Sequence, residues 1–163
     1  MDSLGQLING EQLKKQSYYD STLNRMRLRN VQSVETVIGT KDNMIGRQDE
    51  QTEVTSINGD QLLTMTFHPG DVVNQFSQFK VEHNSKNVKS IYKIRDKEFV
   101  SGKGIKLGID EQKLIAALGQ PREKKTENDF IVYYYKQEDG LYFGHYWFKN
   151  GRLVKFWFGE EYP

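Results

Sequence analysis

Leu114, Ala117 and Leu118 stand at i, i+3 and i+4 among polar residues, the spacing of a single apolar helix face. Asp110 precedes them as a side chain able to accept from the free amide hydrogens of a first turn. Gly119 suits a left-handed stop, and Pro121 forbids continuation. The spacing predicts a two-turn helix. Eighty positions earlier the same stripe recurs as Val34, Val37 and Ile38, with Asn30 as cap and Gly39 as stop. Two pairs of turn dipeptides, Asn58-Gly59 with Asp139-Gly140 and Pro69-Gly70 with Asn150-Gly151, are each 81 positions apart. These landmarks predict one unit used twice.

After each helix the pattern changes to alternation with a period of two. Strands are expected at 130–136, 141–148 and 153–158 in the second unit, and at 53–57, 61–67 and 74–82 in the first. An added strand over 90–100 leads into the second helix. Charged and polar stretches at 40–52 and 122–129 read as loops, and a helix on Leu4, Leu7 and Ile8 is interrupted by Gly5 and Gly10. The expectation is an α+β fold of two tandem repeats, each a short helix plus an antiparallel β-sheet. An extension covers 1–20, the first repeat 21–89 and the second 90–163, all in one compact unit.

The phrase IKLGIDEQKLIAALGQP, followed by IVYYYKQEDGLYFGHYWFKNGRLVKFWF, resembles the β-lactamase inhibitory protein-like repeat. It is also similar to the small outer-membrane assembly lipoproteins, which carry a Gly-helix-Leu-Gly-x-Pro phrase. The resemblance spans residues 104–158 closely and 26–82 loosely. It implies tandem helix-plus-sheet units and an exported, non-enzymatic module that holds a protein or peptide. The chain departs from both groups in having no cysteine, so neither disulfides nor a lipidated first cysteine is present. β-Lactamase inhibition and its contact residues are therefore not carried over.

Composition narrows the classes further. With 23 basic and 22 acidic residues among 163 and a formal net charge of +1, the chain lacks the basic surplus of a nucleic-acid binder. No run approaches the ~20 apolar residues of a membrane-spanning helix. The opening MDSLGQLINGEQLKK lacks the basic-then-apolar order of a signal peptide. Two expectations follow: an extracytoplasmic protein whose leader has been removed, through which alone a lipid anchor would come, or a cytoplasmic one if Met1 is the true start.

Thirteen of the aromatic residues lie between Phe130 and Tyr162, so the sheet face they occupy is the candidate site. A two-residue turn at Asn150-Gly151 and an unbroken register set Tyr146 opposite Lys155 and Gly144 opposite Trp157. Tyr133, Tyr135, Tyr142, Tyr146, Lys155 and Trp157 then share one face. Val132, Tyr134, Phe143, His145, Trp147, Val154, Phe156 and Phe158 share the other. The second set is the more apolar and is expected beneath the helices. The first set, rings with polar tips, is expected to face solvent as a binding surface; cross-strand aromatic pairs that merely stabilise the sheet are the competing account.

Catalytic chemistry finds little support. His68, His83 and His145 have no metal-ligand spacing, and His145 reads as a core histidine. SGKGIKLG at 101–108 is glycine-rich but lacks the Gly-Lys-Ser/Thr order of a phosphate loop, and reads as turns. The acid pairs Asp49-Glu50 and Glu160-Glu161 read as solvated charges, as do Lys14-Lys15 and Lys124-Lys125. No catalytic residue, metal or cofactor is expected, and neither nucleic acid nor an anionic lipid surface. The expected function is a protein-binding or inhibitory module; the alternative is a small-molecule or lipid carrier with a cavity between sheet and helices.

Overall fold

A computed structural model describes residues 19–39, 51–68, 75–90, 92–138 and 140–161. The strands are β1 (Thr22–Leu23), β2 (Met26–Arg27), β3 (Gln51–Thr55), β4 (Gln61–His68), β5 (Gln75–His83), β6 (Glu123–Glu127), β7 (Phe130–Lys136), β8 (Tyr142–Lys149) and β9 (Arg152–Glu160). The helices are α1 (Val31–Ile38), between β2 and β3, and α2 (Glu111–Leu118), between β5 and β6. β1 and β2 form a small hairpin. The other seven strands make one antiparallel sheet in the order β3-β4-β5-β9-β8-β7-β6. The class is α+β, mostly antiparallel sheet with two short helices among the described residues.

Both helices form as their punctuation predicts. Asn30 and Asp110 accept from the backbone amides of Ser33 and Lys113 at 2.9 and 2.8 Å. Gly39 ends α1 in the left-handed region, whereas Gly119 ends α2 at φ 82, ψ −170, a conformation essentially restricted to glycine. Val34, Ile38, Leu114 and Leu118 are buried against the same sheet face, in one core with Leu63, Met65, Phe79, Val81, Phe156 and Phe158.

The hairpin turn at Asn150 (φ 51) and Gly151 (φ 76) joins Lys149 to Arg152 as its flanking pair. On the other side of β8, Tyr133 pairs with Tyr146 and Tyr135 with Gly144, again as the turn chemistry predicts. The register is not unbroken, however. Phe148 pairs with Leu153, but Trp147 pairs with Lys155, so Val154 is the extra residue of a β-bulge. From there onward every side chain of β9 changes face relative to the expectation.

Three further expectations are corrected. The described residues of 90–100 do not form a strand. They run beside the outer edge of β3, where Thr55 donates to Tyr92 O at 3.1 Å and Ile94 donates to Thr55 O at 3.0 Å. Residues 123–127, expected within a loop, are the edge strand β6, with all five residues exposed. Charge without alternation is how such an edge is kept from pairing with other chains. Glu160 is not a solvated acid: it is buried and lies 3.5 Å from Arg29 Nη1. Of the expected 40–52 loop, only Gln51 and Thr52 are described, and both belong to β3. The N-terminal helix, Lys14-Lys15, Asp49-Glu50 and the Pro69-Gly70 turn lie outside the described residues.

Candidate functional site

The aromatic residues of β7–β9 divide between two faces, and the division overturns the predicted orientation. Tyr133, Tyr135, Tyr142 and Tyr146 are 2%, 1%, 1% and 0% exposed. They face the helices, not solvent. Three of their polar tips are satisfied inside the protein: Tyr133 donates to Glu111 Oε1 at 2.6 Å, and Tyr135 donates to Gly119 O at 2.8 Å. The two β7 tyrosines thus tie down both ends of α2. Tyr142 accepts from the Asp20 backbone amide at 2.9 Å. Burial raises the phenol pKa of all four tyrosines.

Two physical reasons explain the reversal. The bulge at Val154 moves Phe156 and Phe158 onto the tyrosine face, which makes that face the more apolar. It also moves Lys155 and Trp157 to the opposite side, where they join His145 and Trp147. Tyr146 stacks on Phe156 at 6.2 Å, and Phe156 on Phe158 at 6.3 Å. Gly144, expected opposite Trp157, pairs with Phe158 instead, and the Tyr146 ring lies over it.

The face turned away from the helices carries its own aromatic cluster. His145 is half-buried among four rings, with centroids of Tyr134, Phe143, Trp157 and Trp147 at 4.8, 5.1, 5.8 and 5.9 Å. Phe143, only 1% exposed, lies edge-to-face with Trp157 at 5.1 Å. Trp157 donates through Nε1 to Gln78 Oε1 at 3.1 Å. Each ring near the surface has an ammonium group over it. Lys155 lies 4.4 Å from the Trp147 centroid, Lys125 5.7 Å from Tyr134, and Lys80 and Lys149 5.9 Å from Trp157 and Phe130. Contacts of this kind are worth about 0.5–1 kcal/mol each at exposed sites.

Burial also sets the electrostatics here. Desolvation holds the His145 imidazole below its ordinary value, against the opposing pull of Glu161 and Glu127. The Tyr134 phenol is pushed up to about 12, first by burial and then by its 2.6 Å hydrogen bond to Glu127. Neutral His145 keeps the cluster uncharged at its centre, with cations at its rim.

Two clefts open on this face where β5 ends. One, of about 320 Å³, is lined by Phe130, Trp147, Val154, Lys149, Lys155 and, at the end of β5, Glu82, His83 and Ser85. The other, of about 200 Å³, is more polar and lies across β3–β5, sharing Glu82, His83 and Ser85. Of the six residues expected to form the binding face, only Lys155 and Trp157 lie on it. Trp147 and His145 complete it, and the Val154 bulge that brings Lys155 and Trp157 beside them has no signature in the alternation of residues. SGKGIKLG forms turns, with Gly104 N donating to Ser101 O and Gly108 N to Leu153 O. Among the described residues no group of three or more His, Cys, Asp or Glu could hold a metal ion, and no helix is long and apolar enough to cross a membrane.

No protein-family model and no curated protein matches the chain. Among solved structures, it is similar to a DUF4309 family protein (YjgB) from Bacillus subtilis subsp. subtilis str. 168. Identity is 14% and the TM-score 0.45, over 93% of this chain and 95% of that one. At that similarity the match informs neither fold nor function.

Proposed function

We propose that this protein is a non-enzymatic binding module that holds a protein partner against the sheet face turned away from α1 and α2. The single observation that carries the reading is the half-buried cluster of His145, Trp147 and Trp157, with lysine ammonium groups over the two Trp rings. Half-exposed Trp rings on a rigid sheet are the kind of anchor that dominates interface energetics. The tyrosines and phenylalanines that fill the space beneath the helices speak against apolar cargo held there, so the carrier reading gains no support.

We further propose that the sheet arose from one unit used twice. α1 precedes β3, β4 and β5, and α2 precedes β6, β7, β8 and β9, with the last strand of each set paired at the centre. The landmarks at 80 and 81 residues support the same reading. An extracytoplasmic location rests on the stated resemblance alone.

The test uses purified wild-type, Trp157→Ala and Ile57→Ala chains as baits, each checked for its melting temperature. Ile57 is exposed at the β3–β4 turn and lines neither cleft. A partner retained by wild type and Ile57→Ala is then purified and its affinity for Trp157→Ala measured. The expected loss is ~2 kcal/mol or more, as at an interface hot spot. Truncation also uncovers Phe143, so some stability is lost. A fall in melting temperature with unchanged affinity would place Trp157 among structural residues only.

A further inference from the structure

The larger cleft is the part of the open face whose chemistry is most specific. Its floor is apolar: Trp147, Phe130 and Val154. The Val154 bulge puts two residues of β9 against one of β8 and bends the strand locally. Two ammonium groups stand at its rim. Among the described residues, neither Lys149 nor Lys155 has a carboxylate within 4.0 Å, and their recorded partners are the Phe130 and Trp147 rings. Among the described residues Glu82 is the one acid in the lining. It sits opposite Lys155 in the ladder, so two positive charges face one negative charge. One further carboxylate would balance the cleft. A volume of about 320 Å³ is at the lower end for ligand sites, which start at roughly 300 Å³, and fits one large side chain.

We infer that this cleft is the anchor socket for a peptide segment of the partner in which an aromatic side chain stands next to a carboxylate. The ring enters between Trp147, Phe130 and Val154, and the carboxylate is held by Lys149 and Lys155. The inference deepens the open-face reading and rests on it. The lysines are already held over rings, so binding the anion orders fewer rotamers than free lysines would require.

The probe is the blocked peptide acetyl-Gly-Phe-Asp-Gly-amide, titrated into the full-length protein. The chain has only two tryptophans, so two indole N–H resonances report the binding position, assigned with Trp157→Phe. The Trp147 signal is expected to shift saturably while the Trp157 signal, hydrogen-bonded to Gln78, moves little. Replacing Asp by Asn in the peptide, or Lys149→Gln or Lys155→Gln in the protein, is expected to weaken binding about two- to fivefold, as for a partly exposed ion pair. Added salt should erase most of that difference.

Equal affinity for the Asp and Asn peptides, or no saturable shift of the Trp147 signal at millimolar peptide, would overturn the inference. Phenylacetate alone binding as tightly as the peptide would also overturn it, in favour of a small-molecule site. If the peptide fails while Trp157→Ala still loses the protein partner, the socket is wrong and the open face stands. If both fail, the face itself is wrong.

Discussion

A methyl group at position 144 would lie 2.9 Å from Cε2 of Tyr146. That ring cannot retreat, because it is fully buried, stacked on Phe156 and edge-on to Tyr135 at 5.5 Å. Replacing a strand glycine with alanine should gain about 0.5–1 kcal/mol of backbone entropy, while overpacking a closed core costs about 1–3 kcal/mol. The cost wins, so Gly144→Ala should lower the urea midpoint with an unchanged m-value. His145 carries a second test at this scale. Its folded-state pKa lies below the ordinary 6.5, so the unfolded chain takes up the proton first as pH falls. Wild-type stability relative to His145→Phe should therefore drop below about pH 6.5 and level off beneath the folded-state pKa. Urea midpoints of both proteins across that range check the sign; a rise in relative stability on acidification would contradict it. Individual residues were unevenly legible in the sequence. Caps and turn residues announced themselves because their chemistry is local, whereas the tyrosines did not. A phenol tip points equally well to water or to a helix end, and only the fold decides that Gly119 O and Glu111 are within reach.

Elements followed the same division. α1, α2, the β8–β9 turn and the β7–β8 register were readable from residues adjacent in sequence, while Asp139 of the β7–β8 turn lies outside the described residues. β6 was missed because EKKTE has no apolar alternation. It is a strand through its pairing with β7, where Lys124 lies 5.2 Å from the Tyr133 centroid and 3.6 Å from Glu111. The bulge was the more consequential miss. A period-two pattern cannot show an inserted residue when the residues on both sides are apolar, as in LVKFWF. Deleting Val154 gives a direct test. In the observed register the deletion leaves Leu153 and Phe156 on the core face with Lys155 alone between them, so the ladder becomes regular. The protein should still unfold cooperatively, with a loss below about 2 kcal/mol, in the ordinary range for single changes. In an unbulged register the same deletion would exchange the faces of Lys155 and Phe156, and folding would fail. Near-ultraviolet circular dichroism with urea unfolding separates the two outcomes.

At the scale of the whole molecule, everything turns on the centre of the sheet, where β5 meets β9. Gln78 through Glu82 pair with Gly159 through Lys155, and Phe79 packs edge-to-face on Phe158 at 5.8 Å. A Cβ on Gly159 would run into Ser77 O, so the two strands approach more closely here than any side chain permits. Splitting the chain after Lys89 would expose this seam. Phe79, Val81, Phe156 and Phe158 are all fully buried, and exposing such a side chain costs about 1.5–3 kcal/mol. Four of them approach the entire ~5–15 kcal/mol by which a domain is stable. Arg29 would also lose Glu160, and each half would present a long unpaired strand edge that invites aggregation. Neither fragment should fold alone, a mixture of the two should recover the near-ultraviolet signal, and the intact chain should melt in one transition. A second-half fragment that melts cooperatively at the temperature of the intact protein would mean that the seam joins two finished domains. The proposed duplication would then be a tandem of independent units, with the open face divided between them.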